Sequence, residues 1–319
     1  MRYSRQVVFE KIGSKGQELL KKSKVTILGL GAIGTRTAEL LTRAGVGSLT
    51  LIDRDIVELS NLQRQTLFIE EDLNKSKSLT ALKHLKKINS QVKIKAVFKD
   101  INPKNINFLK GDLILDCTDN METRFLLNEH CLKNNIPWIF SSIIGSSGMV
   151  FNIVPTKTPC FNCIFNKPEE VLGTCDTEGI INTTASLVSS LQVTEAFKML
   201  TQQPYLKNLT YFDLWKNKIE KIKVKKLQNC QTCKNNFTYL NEESSDDLIK
   251  ICGNNSYQLR GRALKLQEVA KRLKKLDKVI LNSDCLIFKE LTMFPDGRAL
   301  IKASSPERAK SLYTKYIGN

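Results

Sequence analysis

The sequence predicts a doubly wound α/β protein. Its Rossmann-like sheet is mostly parallel with an antiparallel extension, and a small C-terminal α+β appendage follows. Three observations predict this. Strand-like and helix-like segments alternate from Lys24 to Ser141. A glycine turn, Gly29-x-Gly31-x-x-Gly34, joins the first strand of that series to the next helix. After Gly148, strands follow one another without crossover helices, as in an antiparallel continuation.

Taken in order, Lys24–Gly29 reads as a short buried strand, and the helical pattern Thr35–Ala44 stops at Gly45, suited to a left-handed cap. Leu49–Asp53 is a second strand. Lys75–Ile88 reads as an amphipathic helix with Leu79, Leu82 and Leu85 on one face, and Val92–Phe98 as a third strand. Leu113–Cys117 is a fourth strand, Met121–Asn134 a helix and Ile136–Ser141 a fifth strand. Met149–Val154, Leu209–Asp213 and Ile219–Lys225 supply the extension, and Thr184–Leu200 is a long, mostly apolar helix expected to be buried. The acidic run 241–247 reads as a linker, which divides the chain into domains at 1–240 and 248–319. In the appendage, Lys265–Lys274 is helical, Leu291–Lys302 is a hairpin turning at Pro295-Asp-Gly297, and Pro306–Tyr316 is a helix capped by Ser305.

Composition narrows the class. Of 319 residues, 41% are hydrophobic and 25% charged, enough core to exclude disorder as the main state. The charge-free stretch Trp138–Val154 is broken by Ser, Gly and Asn, so no membrane span is expected. Charges in the first residues argue against export, and a cytoplasmic protein is expected. The net charge of +17 rests on 37 Lys and 12 Arg spread along the chain. Scattered Lys reads as a solvated surface rather than a nucleic-acid site, although it favours an acidic partner. Nine Cys in such a protein argue against a disulfide framework.

The glycine turn lets backbone N–H groups approach a phosphate at a helix N-terminus. Asp53, at the end of the second strand, stands where an acid binds ribose hydroxyls. An NAD(P)-dependent oxidoreductase shares these features. The loop Asp53-Arg-Asp55-Ile-Val-Glu58-Leu-Ser-Asn61-Leu-Gln-Arg64-Gln65 differs, and Lys77 follows it at the start of the next helix. Two fixed cations, Arg64 and Lys77, beside a phosphate-binding turn suit a triphosphate, because they neutralise a departing pyrophosphate. Asp116-Cys-Thr-Asp119-Asn120 ends the fourth strand at the same edge, where a carboxylate can hold Mg²⁺.

Tyr3-Ser-Arg5-Gln6, the glycine turn, Ser60-Asn61-Leu62-Gln63-Arg64-Gln65-Thr-Leu and Asp116-Cys-Thr-Asp119-Asn120 together resemble the ThiF/MoeB/HesA adenylyltransferases, relatives of ubiquitin-activating enzymes, over about residues 1–234. The resemblance implies Mg-ATP-dependent adenylation of the C-terminal glycine of a small ubiquitin-fold sulfur-carrier protein ending in Gly-Gly, in thiamine, molybdopterin or tRNA-thiolation pathways. It implies that Gly29, Gly31, Gly34, Asp53 and Asp55 bind nucleotide, that Asn61, Arg64 and Lys77 face the phosphates and that Asp119 binds Mg²⁺. It further implies that Arg5 reaches the ATP of the other subunit of a homodimer. His84 and His130 fall in expected helices away from that rim and read as structural.

Cys160-x-x-Cys163 and Cys230-x-x-Cys233 supply four thiolates for tetrahedral Zn²⁺, with a redox disulfide as the alternative. The long gap between the pairs is wrong for a compact zinc ribbon and suits stapling two distant segments. The resembled family carries a structural zinc at the matching pairs, and at Cys175 a cysteine that can form a thioester or persulfide link with the activated protein. Cys117, Cys131, Cys252 and Cys285 read as buried thiols. The appendage is too short for a rhodanese domain, so sulfur would come from a separate donor such as a cysteine desulfurase or rhodanese. Other readings are a tRNA threonylcarbamoyladenosine dehydratase and a zinc-dependent nucleic-acid-binding module.

Overall fold

A computed structural model describes residues 2–165, 178–241, 248–251 and 256–318. The chain forms two compact units, Met1–Leu73 with Lys77–Glu242, and Asn74–Ser76 with Glu243–Asn319.

The first unit opens with two helices, α1 (Ser4–Val8) and α2 (Gly13–Lys22). Then come β1 (Lys24–Leu28), α3 (Ala32–Ala44), β2 (Ser48–Asp53), α4 (Lys77–Ile88), β3 (Lys93–Phe98), β4 (Leu113–Asp116), α5 (Met121–Lys133) and β5 (Trp138–Ile144). It closes with β6 (Ser147–Ile153), α6 (Asn182–Leu200), β7 (Leu209–Asp213) and β8 (Lys218–Ile222). Among the described residues these strands make one eight-stranded sheet in the order β3-β2-β1-β4-β5-β6-β7-β8. The first five pair in parallel and β6, β7 and β8 antiparallel, so the expected doubly wound sheet with its extension is present. Strand order reverses between β1 and β4, and open sheets bind ligands beyond the carboxyl ends of strands at such a point.

Both faces of the parallel part are covered, so its central strands β1 and β4 are largely buried, whereas the edge strand β3 keeps Lys93 and Lys95 exposed. Successive side chains alternate between two cores. Val25, Ile27, Leu49, Leu51, Leu113 and Leu115 pack on the side of α3, α4 and α6, whereas Leu28, Ile52, Ile114, Trp138 and Phe140 pack with α5 residues Phe125 and Leu127. α3 ends at Gly45 in the left-handed conformation (φ 80°), where a Cβ would run into the Tyr3 ring.

Two expectations need correction. α4 starts at Lys77 rather than Lys75, because the chain just ahead of it turns through Asn74 in the left-handed conformation (φ 64°). Its buried stripe is Ser78, Ala81 and Leu85, while Leu79 is exposed. Steps of three and then four residues follow a 3.6-residue turn, and steps of three alone drift off it. The strand expected from Ile136 begins after Pro137, which has no N–H to give a ladder. His84 and His130 lie in α4 and α5, bonded to Asp72 and to the Leu109 carbonyl.

In the second unit, β9 (Leu248–Ile251), β10 (Ser256–Arg260), β11 (Ile280–Leu281), β12 (Leu286–Phe288), β13 (Leu291–Met293) and β14 (Arg298–Lys302) form an antiparallel sheet ordered β11-β12-β13-β14-β10-β9. Leu266, Ala270 and Leu273 of α7 (Leu266–Leu273) and Ala309 and Leu312 of α8 (Pro306–Tyr316) pack with its Phe288, Met293 and Ile301 in a separate core. The Ser305 hydroxyl accepts the Arg308 amide as the expected cap. Most of the acidic run, 242–247, lies outside the described residues. No described helix is long and apolar enough to cross a membrane.

Candidate active site

The glycine turn leaves β1 and enters α3. Gly29 has φ 90°, and a Cβ there would stand 2.6 Å from the Cys117 carbonyl oxygen; on Gly34 it would stand 1.9 Å from the Gly29 oxygen. These two glycines are therefore required by backbone packing. Gly31 differs, since a Cβ there meets nothing within 4 Å. Gly31 is also the N-cap of α3 and supplies no side-chain cap bond to its first turn.

Asp53 ends β2 and is buried. Its Oδ2 accepts the Leu30 amide and its Oδ1 the Asp55 amide at 2.7 Å, so one carboxylate shapes both the turn and the following loop. Burial pushes its pKa up, opposed by the Lys77 charge. Lys77, at the start of α4, is also buried. Its Nζ lies 3.4 Å from Asp55 Oδ2 and its backbone N–H donates to the Asp55 carbonyl at 3.0 Å. Burial pulls its pKa down, but Asp55, Asp53 and Asp119 together carry it above the ordinary lysine value. The ammonium is therefore charged at neutral pH.

Arg54, which sequence reasoning passed over, belongs to the same cluster. It bonds Asp100 at 3.2 Å and feels the charges of Asp55 and Asp119. A signal was available, in that Arg54 is flanked by carboxylates on both sides at the end of a strand. Asp119 itself is exposed, in the turn between β4 and α5. An exposed carboxylate suits Mg²⁺, which retains several waters and is held by one or two carboxylates plus phosphate.

Other predicted residues bond elsewhere or lie exposed. Asn61 is buried and caps its own 3-10 turn, Leu59–Asn61, by accepting the Glu58 amide. Arg64 lies on the same loop with Nη1 donating to the Ser60 carbonyl at 2.8 Å. Arg5 sits exposed on α1, beside exposed Val8 and Phe9.

Behind the rim two buried groups missed by sequence reasoning fix β4. Arg124 donates to Asp116 Oδ2 at 3.0 Å and to the Ser141 carbonyl at 3.1 Å. Gln192, from α6, donates to the Asp116 carbonyl at 2.8 Å and accepts from Thr37 at 3.0 Å. An amide inside the apolar run of α6 was the clue.

The second cluster is Cys160, Cys163, Cys230 and Cys233, whose four sulfurs lie within 4.8 Å of one another. Cys160 Sγ is 3.8 Å from Cys163, 3.5 Å from Cys230 and 3.4 Å from Cys233, and Cys163 is 3.8 Å from Cys233. Zn–S bonds of about 2.3 Å in a tetrahedron put sulfurs about 3.8 Å apart, so this set fits one zinc ion with slight expansion. All four are free thiols, and the separations are too long for a disulfide. Cys117, Cys131 and Cys285 are buried thiols, as expected. Cys175 and Cys252 lie outside the described residues.

Residues 3–234 match the ThiF family. The sulfur carrier protein ThiS adenylyltransferase of Bacillus subtilis is 39% identical over 99% of this chain and 99% of its own length. The enzyme of the same name from Escherichia coli is 34% identical, with 73% of this chain covering 94% of that protein. The E. coli molybdopterin-synthase adenylyltransferase is 33% identical over 73% of this chain and 96% of its own length. A crystal structure of E. coli MccB with ATP matches in fold with a TM-score of 0.66 at 24% identity, covering 73% of each chain. The chain belongs to the ThiF family. Its E. coli relatives are nearly fully accounted for by 73% of it, so adenylyltransferases of this family exist without a counterpart to the remainder.

Proposed function

We propose that this chain transfers AMP from ATP to the C-terminal carboxylate of a small ubiquitin-fold sulfur-carrier protein ending in Gly-Gly. The observation that carries the reading is the buried Lys77 ammonium 3.4 Å from Asp55, on a loop that Asp53 ties to the glycine turn by accepting the Leu30 and Asp55 amides. It is supported by the names of the relatives above, which include activators of ThiS.

In the reaction a carboxylate oxygen attacks the α-phosphorus, the bond to the β-phosphate oxygen breaks, and pyrophosphate leaves behind an acyl-adenylate. Two anions approach each other, so preorganised positive charge is the main requirement. No base is needed, because the attacking carboxylate is already ionised at neutral pH. Lys77, Arg64 and Asn61 would meet the phosphates and Asp53 the ribose. Bound Mg²⁺ would add charge on the phosphates, with Asp119 as its protein ligand. Arg5 would complete the site of a partner subunit, with exposed Val8 and Phe9 covered in the same homodimer. A separate sulfur donor would then displace AMP, with or without Cys175. The four-cysteine cluster would hold a structural zinc.

The test is ATP–pyrophosphate exchange that depends on a carrier's terminal glycine and on Mg²⁺. Asp119→Ala is expected to lower exchange at least about 100-fold, the scale of losing one electrostatic contact to a transition state, without unfolding the chain. Near wild-type exchange in that variant would mean that Asp119 holds no metal.

A further inference from the structure

β2 and β3 are neighbouring parallel strands with Asp53 opposite Phe98, and the Lys99 amide donates to the Asp53 carbonyl at 3.2 Å. Arg54 and Asp100 therefore leave the two strand ends close together, and Arg54 Nη1 donates to Asp100 Oδ1 at 3.2 Å. Asp100 is itself fixed. Its carbonyl accepts the Asn105 side chain at 2.8 Å and that of Asn102 at 3.3 Å. Burial pulls the Arg54 pKa down, but Asp55, Asp100 and Asp119 more than offset it, so the guanidinium stays charged.

Asp55 stands between two cations. Its Oδ1 lies 3.8 Å from Arg54 Nε and its Oδ2 3.4 Å from Lys77 Nζ. Its side chain is 39% exposed, the most open of the three. An uncompensated carboxylate in this place would do harm in two ways. It would repel a triphosphate, and it would draw on the Lys77 charge that the phosphates need. Arginine suits the compensating role, because it is always charged and its planar fork can serve two carboxylates from different nitrogens.

We propose that Arg54, anchored on Asp100, is a positioning residue that balances Asp55 and so leaves the Lys77 ammonium available to the phosphates of ATP. The inference rests on the adenylation reading for the triphosphate beside Lys77. Arg54 touches no reacting atom in this account and acts on Lys77 through Asp55.

The experiment is a double-mutant cycle between Arg54→Gln and Asp55→Asn in the full chain. It is read by calorimetric binding of Mg-ATP and by KM and kcat for ATP in pyrophosphate exchange. Arg54→Gln is expected to weaken ATP binding about tenfold and to raise KM in step, with a smaller fall in kcat. Beside Asp55→Asn the same change is expected to cost at most about twofold, because the charge that Arg54 balances is gone. Arg54→Lys keeps the charge but not the fork, and is expected to lose about threefold. An equal loss from Arg54→Gln in both backgrounds would overturn the proposal, since Arg54 would then act on ATP directly or on the loop as a whole. So would a loss in Arg54→Lys as large as that in Arg54→Gln. If Arg54→Gln does not fold, the cycle runs with Arg54→Lys, whose smaller loss must likewise vanish beside Asp55→Asn. A wild-type chain that binds Mg-ATP but shows no exchange with any Gly-Gly carrier would sink the adenylation reading, and the binding cycle would still decide the role of Arg54. A wild-type chain that binds no Mg-ATP would overturn both.

Discussion

The four-cysteine corner and the charged rim beyond β2 and β4 solve opposite problems within one unit. At the corner, four polarisable sulfurs converge with no cation among them. The hydrogen bond with Cys160 pulls the Cys163 thiol down, while burial pushes Cys233 up. Every donor for a tetrahedral ion is already in place and mostly buried, so the cluster is complete within the single chain. At the rim, cations and carboxylates neutralise each other, and Arg64 is turned onto a carbonyl of its own loop. The Cβ direction of Gly31 is empty for 4 Å, and Asp119 is exposed. A closed ligand set suits a staple, and an open one suits a site that must release its product.

The sharpest way to break this contrast is to remove a donor from the closed set. Cys160 is within 3.8 Å of all three other sulfurs, so Cys160→Ser should disable the whole cluster. Freshly purified chain is expected to carry one zinc by elemental analysis and the variant none. The accompanying loss of stability should reach about 10 kcal/mol if the cluster behaves as small zinc sites do. A zinc-free wild-type chain with an unchanged melting curve would show that the corner is only a packed group of thiols.

The next test asks whether the rim is incomplete in a stronger sense and needs a second chain. If each Arg5 completes a partner's site, inactive Arg5→Ala and inactive Asp119→Ala should complement each other on mixing. Half the dimers would be hybrids and half their sites intact, so about a quarter of wild-type exchange should return under two-fold symmetry. No recovery, with subunit exchange verified, would leave the rim a single-chain site like the corner.

How far the sequence alone could be read follows the same division. The parallel sheet was legible because β1, β2 and β4 are short, mostly apolar runs alternating with helices, a pattern with few topologies open to it. The cysteine pairs were legible because their spacing carries the chemistry. Local patterning said less about groups whose role depends on distant neighbours. Arg54 reads as a surface charge until Asp100 is seen 3.2 Å away, and Gln192 as an interruption of an apolar helix until it meets the Asp116 carbonyl. The start of α4 was misplaced because the left-handed turn at Asn74 just ahead of it leaves no trace in the hydrophobic pattern.

The finest test of the rim lies in its glycines. Gly34→Ala would force a Cβ to within 1.9 Å of a backbone oxygen, so the turn itself would have to move and the fold would suffer whether or not nucleotide binds. Gly31→Ala separates the two demands. Its backbone, at φ −82° and ψ −148°, lies outside the left-handed region, and its Cβ direction is empty for 4 Å. The added methyl should therefore change stability by no more than about 0.5 kcal/mol, the range of ordinary surface substitutions. If that space admits a phosphate to the N–H groups of α3, the same methyl blocks the approach, and KM for ATP should rise several-fold while the melting temperature holds. A variant that binds ATP as the wild type does would mean that the phosphates do not lie over Gly31. The open face of α3 would then lose its claim to be the most specific part of the rim.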